Sequence, residues 1–220
     1  MIPKKVKVGG FNYDILYPWR FREDDSFLGL HESKELRIKI TNNYRGSHVP
    51  KDKIRQTLLH ELFHAIDMYY VGHALSDEDI IIERFAAGWF NVLNNNKLGL
   101  NSKRFKVPDE VKIGEFKYKI DYPYEYNDIS PAPQFTVDTN LVVIRLSEEH
   151  LFYSPQLLKL NLVHAIMITI DSEQCILESS SLSHDGMIGP YTRWDTLEFL
   201  AYGWFQVLVD NDLEKVIKSG

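Results

Sequence analysis

The chain has 220 residues, 44% hydrophobic and 13% aromatic, which is enough to bury the core of one domain or two small ones and argues against disorder. Its net charge of −6 is unevenly divided, because residues 1–105 hold 16 basic and 13 acidic side chains whereas residues 106–220 hold 9 and 18. The acidic second half repels phosphate, so nucleic acid is a poor candidate partner, and no apolar run is long enough to span a membrane.

The beginning of the chain and its cysteine content indicate a cytoplasmic protein. In MIPKKVKVGG, basic residues lead directly into an alternating strand, so no signal peptide is expected. Cys175 is the only cysteine, which excludes an internal disulfide framework and suits a reducing compartment. We interpret Cys175 as a small packed residue rather than a nucleophile.

Two strands are predicted before the first helix. Apolar residues alternate from Val6 to Ile15, with Gly9-Gly10 marking a turn or bulge. A second extended stretch, LRIKI (36–40), follows, and FLGLHESKE before it suggests a hairpin arm. The pattern predicts a short antiparallel sheet.

Two helices are predicted next. The first runs from about Pro50 to Tyr70, with apolar residues near 3.6-residue spacing. The second begins at Ser76, whose hydroxyl can cap it, and continues to about Asn95. A sheet followed by two helices is an α+β arrangement.

The first helix carries the motif HELFH. Residues four apart lie on one face of a helix, so His60 and His64 can bind one ion together. Glu61 lies to one side, where its carboxylate can accept a proton from water on that ion, as in H-E-x-x-H zinc hydrolases. Alternatively, both histidines are solvated or packed on an ordinary amphipathic helix that binds no metal.

A catalytic zinc needs a third protein ligand and an open position. Glu83 on the second helix is the best candidate. The competitors Asp77, Glu78 and Asp79 lie in the first turn of that helix, where acidic residues are common as caps. Asp67 lies too far along the first helix to share the ion, so we interpret it as a structural hydrogen-bonding residue or one that supports a ligand.

The chain also repeats itself. VKVGGFNYDILYP (6–18) matches VKIGEFKYKIDYP (111–123), and ERFAAGWFNVLNNN (83–96) matches EFLAYGWFQVLVDN (198–211). We therefore predict a tandem pair of α+β units packed about a pseudo-two-fold axis, like a fused dimer within one monomeric chain. The Trp-Phe pair that both copies share is expected in the core or between the units.

The predicted units are residues 1–100, with the complete motif, and residues 106–220, with a degenerate copy. In the second unit His164 matches His60 and Glu198 matches Glu83. Ala165 and Ile168 replace the proton acceptor and the second histidine, so this copy is not expected to work as the first would.

The helix with HELFH, followed by IIIERFAAGWFNVL, resembles the gluzincin class of metallopeptidases. More closely, residues 4–97 are similar to small phage- and mobile-element-encoded proteins of the ImmA/IrrE type. The resemblance implies a zincin-like fold, Zn2+ held by His60, His64 and Glu83, and Glu61 as general base. It also implies that the chain acts on a regulatory protein, such as a repressor, in the bacterial cytoplasm.

The chain departs from the family pattern at two points. In thermolysin-like gluzincins an aspartate four residues after the glutamate ligand orients a histidine, and Ala87 occupies that position here. No helix-turn-helix is evident that would bring the protein to a DNA-bound repressor.

The predicted function is zinc-dependent peptide hydrolysis, with the peptide held along the sheet edge formed by FLGLHESKELRIKI. Nothing in the sequence selects the residue that stabilises the oxyanion among Tyr44, His48, Tyr69, Tyr70 and His73. The alternative is a non-catalytic zinc protein that binds or sequesters a protein partner.

Overall fold

The computed structural model describes residues 1–22, 25–75, 79–126, 133–147, 154–174, 176–177, 183–184, 187–188 and 191–218. Within these ranges the chain is mixed α+β, with small sheets and five helices, which agrees with the predicted class. The predictions for Ser76, Asp77, Glu78 and Cys175 lie outside the described residues. None of the described helices is long and apolar enough to cross a membrane.

The first sheet contains four strands in the order β1-β2-β4-β3. Their bounds are Lys5–Val8 for β1, Phe11–Leu16 for β2, Gly29–Glu32 for β3 and Arg37–Ile40 for β4. Strands β1 and β2 form a hairpin whose turn residues, Gly9 and Gly10, both have positive φ, as the predicted turn requires. The alternating apolar residues of this hairpin are buried on one face.

This sheet is mixed, so the prediction of an antiparallel sheet is wrong at one pairing. Strand β4 pairs antiparallel with β3, as the hairpin arm suggested, but parallel with β2. After β2 the chain first forms the outer strand β3, and β4 then returns between β2 and β3 in the direction of β2. Apolar alternation reports which face of a strand is buried but carries no information about the direction of its neighbour.

A small hairpin leads into the first helix. Its strands are β5 (Asn43–Tyr44) and β6 (Ser47–His48), and the sequence did not predict them. Helix α1 (Lys51–Ile66) follows and continues as a π-helical segment, Asp67–Val71, which ends at Gly72 in the left-handed conformation. The predicted helix 50–70 is therefore present, but its last turn is wider than an α-helical turn.

Helix α2 (Asp79–Asn95) packs along α1. Its buried face is formed by large apolar residues, including Phe85 and Trp89. Asp79 is the first described residue of α2, and Glu83 lies one turn later. Both carboxylates are therefore at the amino-terminal end of α2, next to the histidines of α1.

The second half contains a similar succession of elements. Its sheet has the order β7-β8-β10-β9, again with one parallel pair, between β8 and β10. The strands are β7 (Glu110–Ile113), β8 (Phe116–Asp121), β9 (Phe135–Asp138) and β10 (Val143–Leu146). The remaining elements are α3 (Pro155–Gln174), the short strands β11 (Ser183–His184), β12 (Met187–Ile188) and β13 (Tyr191–Thr192), α4 (Arg193–Asn211) and α5 (Leu213–Lys218).

Two glycines let the helices of the two halves approach closely. A Cβ atom at Gly203 on α4 would lie 2.6 Å from Ile66 Cγ2 and 2.7 Å from Tyr70 Cδ2, so α1 and its π-helical segment pack directly against this position. A Cβ atom at Gly88 on α2 would lie under 3.0 Å from Ile170 of α3. The glycine of each Gly-Trp-Phe segment therefore contacts the first helix of the other half.

The two halves share one hydrophobic core. The ring of Phe63 on α1 stacks on Trp204 of α4 with the centroids 4.7 Å apart, and Trp204 lies 5.6 Å from Trp89 of α2. Both tryptophans are fully buried. The prediction that the two Trp-Phe pairs belong to the core is confirmed for both tryptophans, and Phe90 and Phe205 are partly buried against the same core.

Candidate metal centre

The two histidines of the HELFH motif meet on the exposed side of α1. Residues four apart on a helix lie one above the other, and here the Nε2 atoms of His60 and His64 are 3.0 Å apart. The other face of the helix is held in the core by Leu58, Leu62 and Ile66. Burial of that apolar face fixes the direction in which the histidine pair points.

Asp79 completes a group of three potential ligands. Its Oδ1 atom lies 3.2 Å from His60 Nε2 and 3.0 Å from His64 Nε2. Donor atoms that bind one tetrahedral zinc at about 2.0–2.1 Å are separated by about 3.3 Å, which is close to these three distances. Among the described residues this is the only set of three or more that could hold an ion. The Asp79 side chain is 78% exposed, which leaves water access to a further coordination position.

Glu83 lies beside the same group but approaches the other nitrogen of His60. Its Oε2 atom is 3.1 Å from His60 Nδ1, although the contact is too bent for a regular hydrogen bond. Lys53 Nζ and Gln56 Nε2 donate to Glu83 Oε1 over 3.0 and 3.2 Å. The sequence predicted Glu83 as the third ligand, whereas the structure places Asp79 in the three-atom group and Glu83 where it can orient the His60 ring.

The charges around Glu83 keep its carboxylate ionised. Its contact with His60 lowers its pKa to about 2 despite partial burial, and Lys53 contributes to the same shift. An ionised carboxylate next to Nδ1 favours the tautomer that carries the proton there, which leaves Nε2 free to bind a cation.

Asp79 and Glu83 have the spacing of a ligand followed one helical turn later by an orienting carboxylate. The sequence places an alanine, Ala87, where that orienting group would follow Glu83, and this left the question of what orients His60. If the ligand is Asp79 instead of Glu83, the orienting carboxylate four residues later is Glu83. Asp79 contacts the Nε2 atoms of both histidines, and Glu83 contacts Nδ1 of His60. The four-residue spacing of Asp79 and Glu83 is visible in the sequence, but the position of Asp79 in the first turn of α2 favours its interpretation as a helix cap.

Glu61 is buried at the bottom of the cleft that contains these residues. Burial raises the pKa of Glu61 to about 7, and the neighbouring His60 opposes the shift. The backbone N–H of His31 on β3 donates a hydrogen bond to its carboxylate. A carboxylate with a pKa near neutrality can both accept and return a proton, which a general base in hydrolysis must do.

The two histidines differ in their electrostatic environment. Burial acts to lower the pKa of His60, but Glu83, Glu61 and Asp79 outweigh it and the pKa is raised. Burial and the nearby charge of His60 lower the pKa of His64, against the opposing effect of Asp79. Simultaneous protonation of the two imidazoles is therefore unfavourable. One divalent cation bound by both rings and Asp79 would take the place of the imidazole protons.

Gly29 at the start of β3 makes room for the Glu61 carboxylate. A Cβ atom at this position would lie under 3.0 Å from Glu61 Oε1 and from Thr57 Cγ2. Real Cβ atoms essentially never lie so close to another non-bonded atom, so a side chain here must displace Glu61 and Thr57. Glycine is thus needed at position 29 to leave space for the Glu61 carboxylate, and not because the backbone has a positive φ.

If the three ligand atoms hold a hydrolytic metal ion, we expect Gly29→Ala to retain the metal but to lower hydrolysis by about 10²-fold, because Glu61 would move while those atoms remain in place. Zinc content and the rate of peptide hydrolysis would be measured on the same preparation. The matched control is Leu30→Ala, the next residue of β3, whose side chain lies on the opposite face of the strand. Equal rates for the two variants would contradict the role assigned to Gly29.

Asp67 supports the fold at the end of α1. It is fully buried, and its Oδ1 atom accepts a hydrogen bond of 3.1 Å from the backbone N–H of Leu75. Its counterpart Asp171 accepts 2.9 Å from the N–H of Leu177 and pairs with Arg193. The structural interpretation of Asp67 is consistent with these bonds.

Of the five candidates for oxyanion stabilisation, only Tyr44 lines the metal cleft. His48 lines an adjoining pocket. The hydroxyl of Tyr69 accepts a hydrogen bond from Tyr13, and Tyr70 is bonded to Gln206 of α4. His73 lies in the turn after the π-helical segment, where its backbone N–H donates to the carbonyl of Asp67.

In the second half, the residues that correspond to His60 and Glu83 do not belong to a group of potential metal ligands among the described residues. His164 is enclosed and packs against Phe135 with the ring centroids 4.9 Å apart, whereas Glu198 is exposed on α4. By strand register Phe135 takes the place of Gly29, and by sequence Ala165 takes the place of Glu61. A glycine and a glutamate in one half therefore correspond to a phenylalanine and an alanine in the other.

His164 makes the fold sensitive to acid. Burial lowers its pKa to about 4, below the value of about 6.5 expected when unfolded. Protonation therefore favours the unfolded chain, so stability is complete above about pH 6.5 and falls by up to about 3 kcal/mol towards pH 4. We expect His164→Leu to flatten this dependence in urea unfolding at pH about 7 and about 4.5, whereas the exposed His48→Leu should leave it unchanged.

Comparison of the chain with protein-family models, with curated proteins and with solved structures gives no match. The assignment of function therefore depends on the geometry of the metal cleft.

Proposed function

We propose that this chain is a zinc-dependent peptidase. The observation that carries the proposal is the convergence of His60 Nε2, His64 Nε2 and Asp79 Oδ1 within 3.2 Å of one another, beside a buried carboxylate. Two imidazoles and one carboxylate are a donor set typical of catalytic zinc, and the exposed side of the group leaves an open position. We assign Asp79 as third ligand and Glu83 as the residue that orients His60.

The remaining residues of the cleft divide the chemical work. Zinc, when bound, supplies Lewis-acid chemistry, since it acidifies coordinated water and polarises a peptide carbonyl. Glu61 takes a proton from the attacking water and returns it to the amine nitrogen that leaves. In the chain without metal, burial raises the pKa of Glu61 to about 7, which favours its holding the proton between the two transfers.

A structural zinc site explains these residues less well. Such a site needs no proton acceptor and tends to close its fourth position with a further Cys or His. Here a glutamate is buried at the cleft at the cost of its desolvation, and no cysteine or third histidine belongs to the described ligand group. These features support hydrolysis over a purely structural or partner-binding use of zinc.

We also propose that the chain is a duplicated zincin-like unit with a degenerate second copy. The equal strand order and pairing directions of the two sheets support this, as do the matched sequence segments and the reciprocal packing of Gly88 and Gly203. In this proposal the active chain is a monomer that acts on a protein or peptide in the bacterial cytoplasm, as the resemblance to ImmA/IrrE-type proteins implies.

The proposal requires about one zinc per chain. We expect protein purified without a histidine tag to contain about one equivalent, to hydrolyse an unfolded protein such as casein, and to lose hydrolysis with a chelator and regain it with added zinc. Metal analysis and a fluorescent-casein assay provide the measurements. Less than about a tenth of an equivalent after incubation with zinc would defeat the proposal.

A further inference from the structure

A second cavity adjoins the metal cleft on the side of the β5–β6 hairpin. We call it the hairpin pocket, and its volume is about 300 Å³. Its walls are almost entirely apolar atoms, contributed by Leu28, Tyr44, Ser47, His48, Val49, Pro50 and Lys53. This volume lies at the lower end of the range of small-ligand sites and has room for one apolar side chain of a bound peptide.

The hairpin pocket and the metal cleft share part of their walls. Leu28, Tyr44 and Lys53 line both cavities, so a molecule bound at the metal centre can extend into the pocket. The ammonium group of Lys53 is 3.0 Å from Glu83 on the cleft side. Since that charge is engaged there, the aliphatic stem of Lys53 is the part available to the apolar pocket.

Local hydrogen bonds hold the hairpin pocket in shape. The hydroxyl of Thr41 donates to the carbonyl of Asn43 over 2.9 Å and accepts from its N–H over 3.1 Å. The N–H of Val49 donates to the carbonyl of Asn42 over 2.9 Å. Arg45 and Gly46 both have positive φ, which matches the two-residue turn of a tight hairpin. The pocket is therefore built before any ligand arrives.

The position of β3 relates the pocket to an extended peptide. Strand β3 is an outer strand of its sheet, and its first residue, Gly29, and the preceding Leu28 both line the metal cleft. A peptide that adds to this edge has alternate side chains on one face of the sheet. A residue next to the peptide bond at the metal centre would then face Leu28 and the pocket behind it.

We propose that the hairpin pocket receives an aliphatic or aromatic side chain of the substrate, next to the bond that is hydrolysed. This inference rests on the proposed zinc peptidase function and adds the chemical class of residue that the site selects. Charged side chains are disfavoured because they would lose hydration against these apolar walls, and the ammonium group of Lys53 is already engaged with Glu83.

Hydroxamic acids test the preference of the hairpin pocket for apolar side chains without requiring hydrolysis. The hydroxamate group chelates zinc, and its substituent can then occupy the neighbouring pocket. Binding to the zinc-loaded wild-type protein would be measured by calorimetry for acetohydroxamate, 4-methylpentanohydroxamate and succinic monohydroxamate. Each buried methylene is worth about fourfold in affinity. We expect the branched compound to bind at least about tenfold more tightly than acetohydroxamate, and the carboxylate compound to gain nothing.

Two pocket variants and one control make the test specific. In Val49→Ser and Tyr44→Ala the tenfold preference should fall below about threefold, because apolar contacts in the pocket are lost. Val49 is buried, so if Val49→Ser fails to fold the half-buried Tyr44→Ala decides the outcome. Tyr202→Ala, an exposed tyrosine of the second half, should keep the wild-type preference.

The possible failures are distinguishable. If the wild-type protein binds zinc and all three hydroxamates with equal affinity, or if both pocket variants keep the preference, this inference is overturned and the peptidase proposal stands. If the wild-type protein binds no zinc, the proposed function and the inference fail together.

Discussion

Replacing Glu61 with glutamine is expected to abolish peptide hydrolysis and to leave zinc binding intact. Glutamine has nearly the same shape but cannot accept the proton, and loss of a positioned general base costs about 10²–10⁴-fold in rate. Glu61 does not belong to the three-atom ligand group, so the metal should be retained at about one equivalent. Casein hydrolysis and zinc content, measured on one preparation, would report both effects.

The control for this substitution is Glu198→Gln, which changes an exposed glutamate of α4, the counterpart of Glu83, and should alter neither quantity. Hydrolysis at the wild-type rate in Glu61→Gln would exclude Glu61 as the proton acceptor. If the variant loses hydrolysis but keeps the full biological effect of the protein, the chain acts by binding its partner, which is the alternative that the sequence left open.

Removing the carboxylate of Asp79 is expected to weaken zinc binding more than removing that of Glu83. Asp79→Ala takes away one of three ligands, whereas Glu83→Ala takes away a group that orients His60, and loss of an orienting group typically costs about 10- to 100-fold in affinity. We therefore expect a loss of more than about 100-fold for Asp79→Ala. Competition with a chromophoric chelator would give both dissociation constants.

This comparison decides between the ligand that the sequence predicted and the ligand that the structure favours. If Glu83→Ala is the more damaging of the two, Glu83 binds the ion and the arrangement around Asp79 is only the metal-free one. Glu198→Ala again serves as control. Thermal unfolding of each variant without metal would separate a loss of ligand from a loss of fold.

Much of the fold could be predicted because it follows from local sequence patterns. The presence of α1 and α2, the start of α1 and the end of α2, the turn at Gly9 and Gly10 and the two-strand opening of each half all follow from apolar spacing or from the backbone freedom of glycine. The parallel pairing of β2 and β4 could not be predicted in the same way, since it depends on the path of the connecting segment rather than on the strands themselves.

The candidate site was predictable up to the choice of its third ligand. The four-residue spacing of His60 and His64 fixes their common face, so the pair could be recognised from sequence. Asp79 and Glu83 lie about one helical turn apart, so the choice between them depends on how α2 is placed along α1. That placement is set by core packing, which the sequence pattern does not give. The roles of Gly29 and Lys53 were equally hidden, because each acts on a residue about 30 positions away in the chain.

The stacking of Phe63 on Trp204 has a consequence for where damaging mutations would be found. The helix that presents the histidines packs against a ring of the second half, which contributes none of the three donor atoms of His60, His64 and Asp79. A substitution in the buried part of residues 106–220 could thus tilt α1 and lower zinc affinity, although all the proposed ligand residues remain unchanged. In a mutational scan, loss-of-function positions should accordingly spread through both halves of the chain, and tolerance in the second half should be confined to its outer surface.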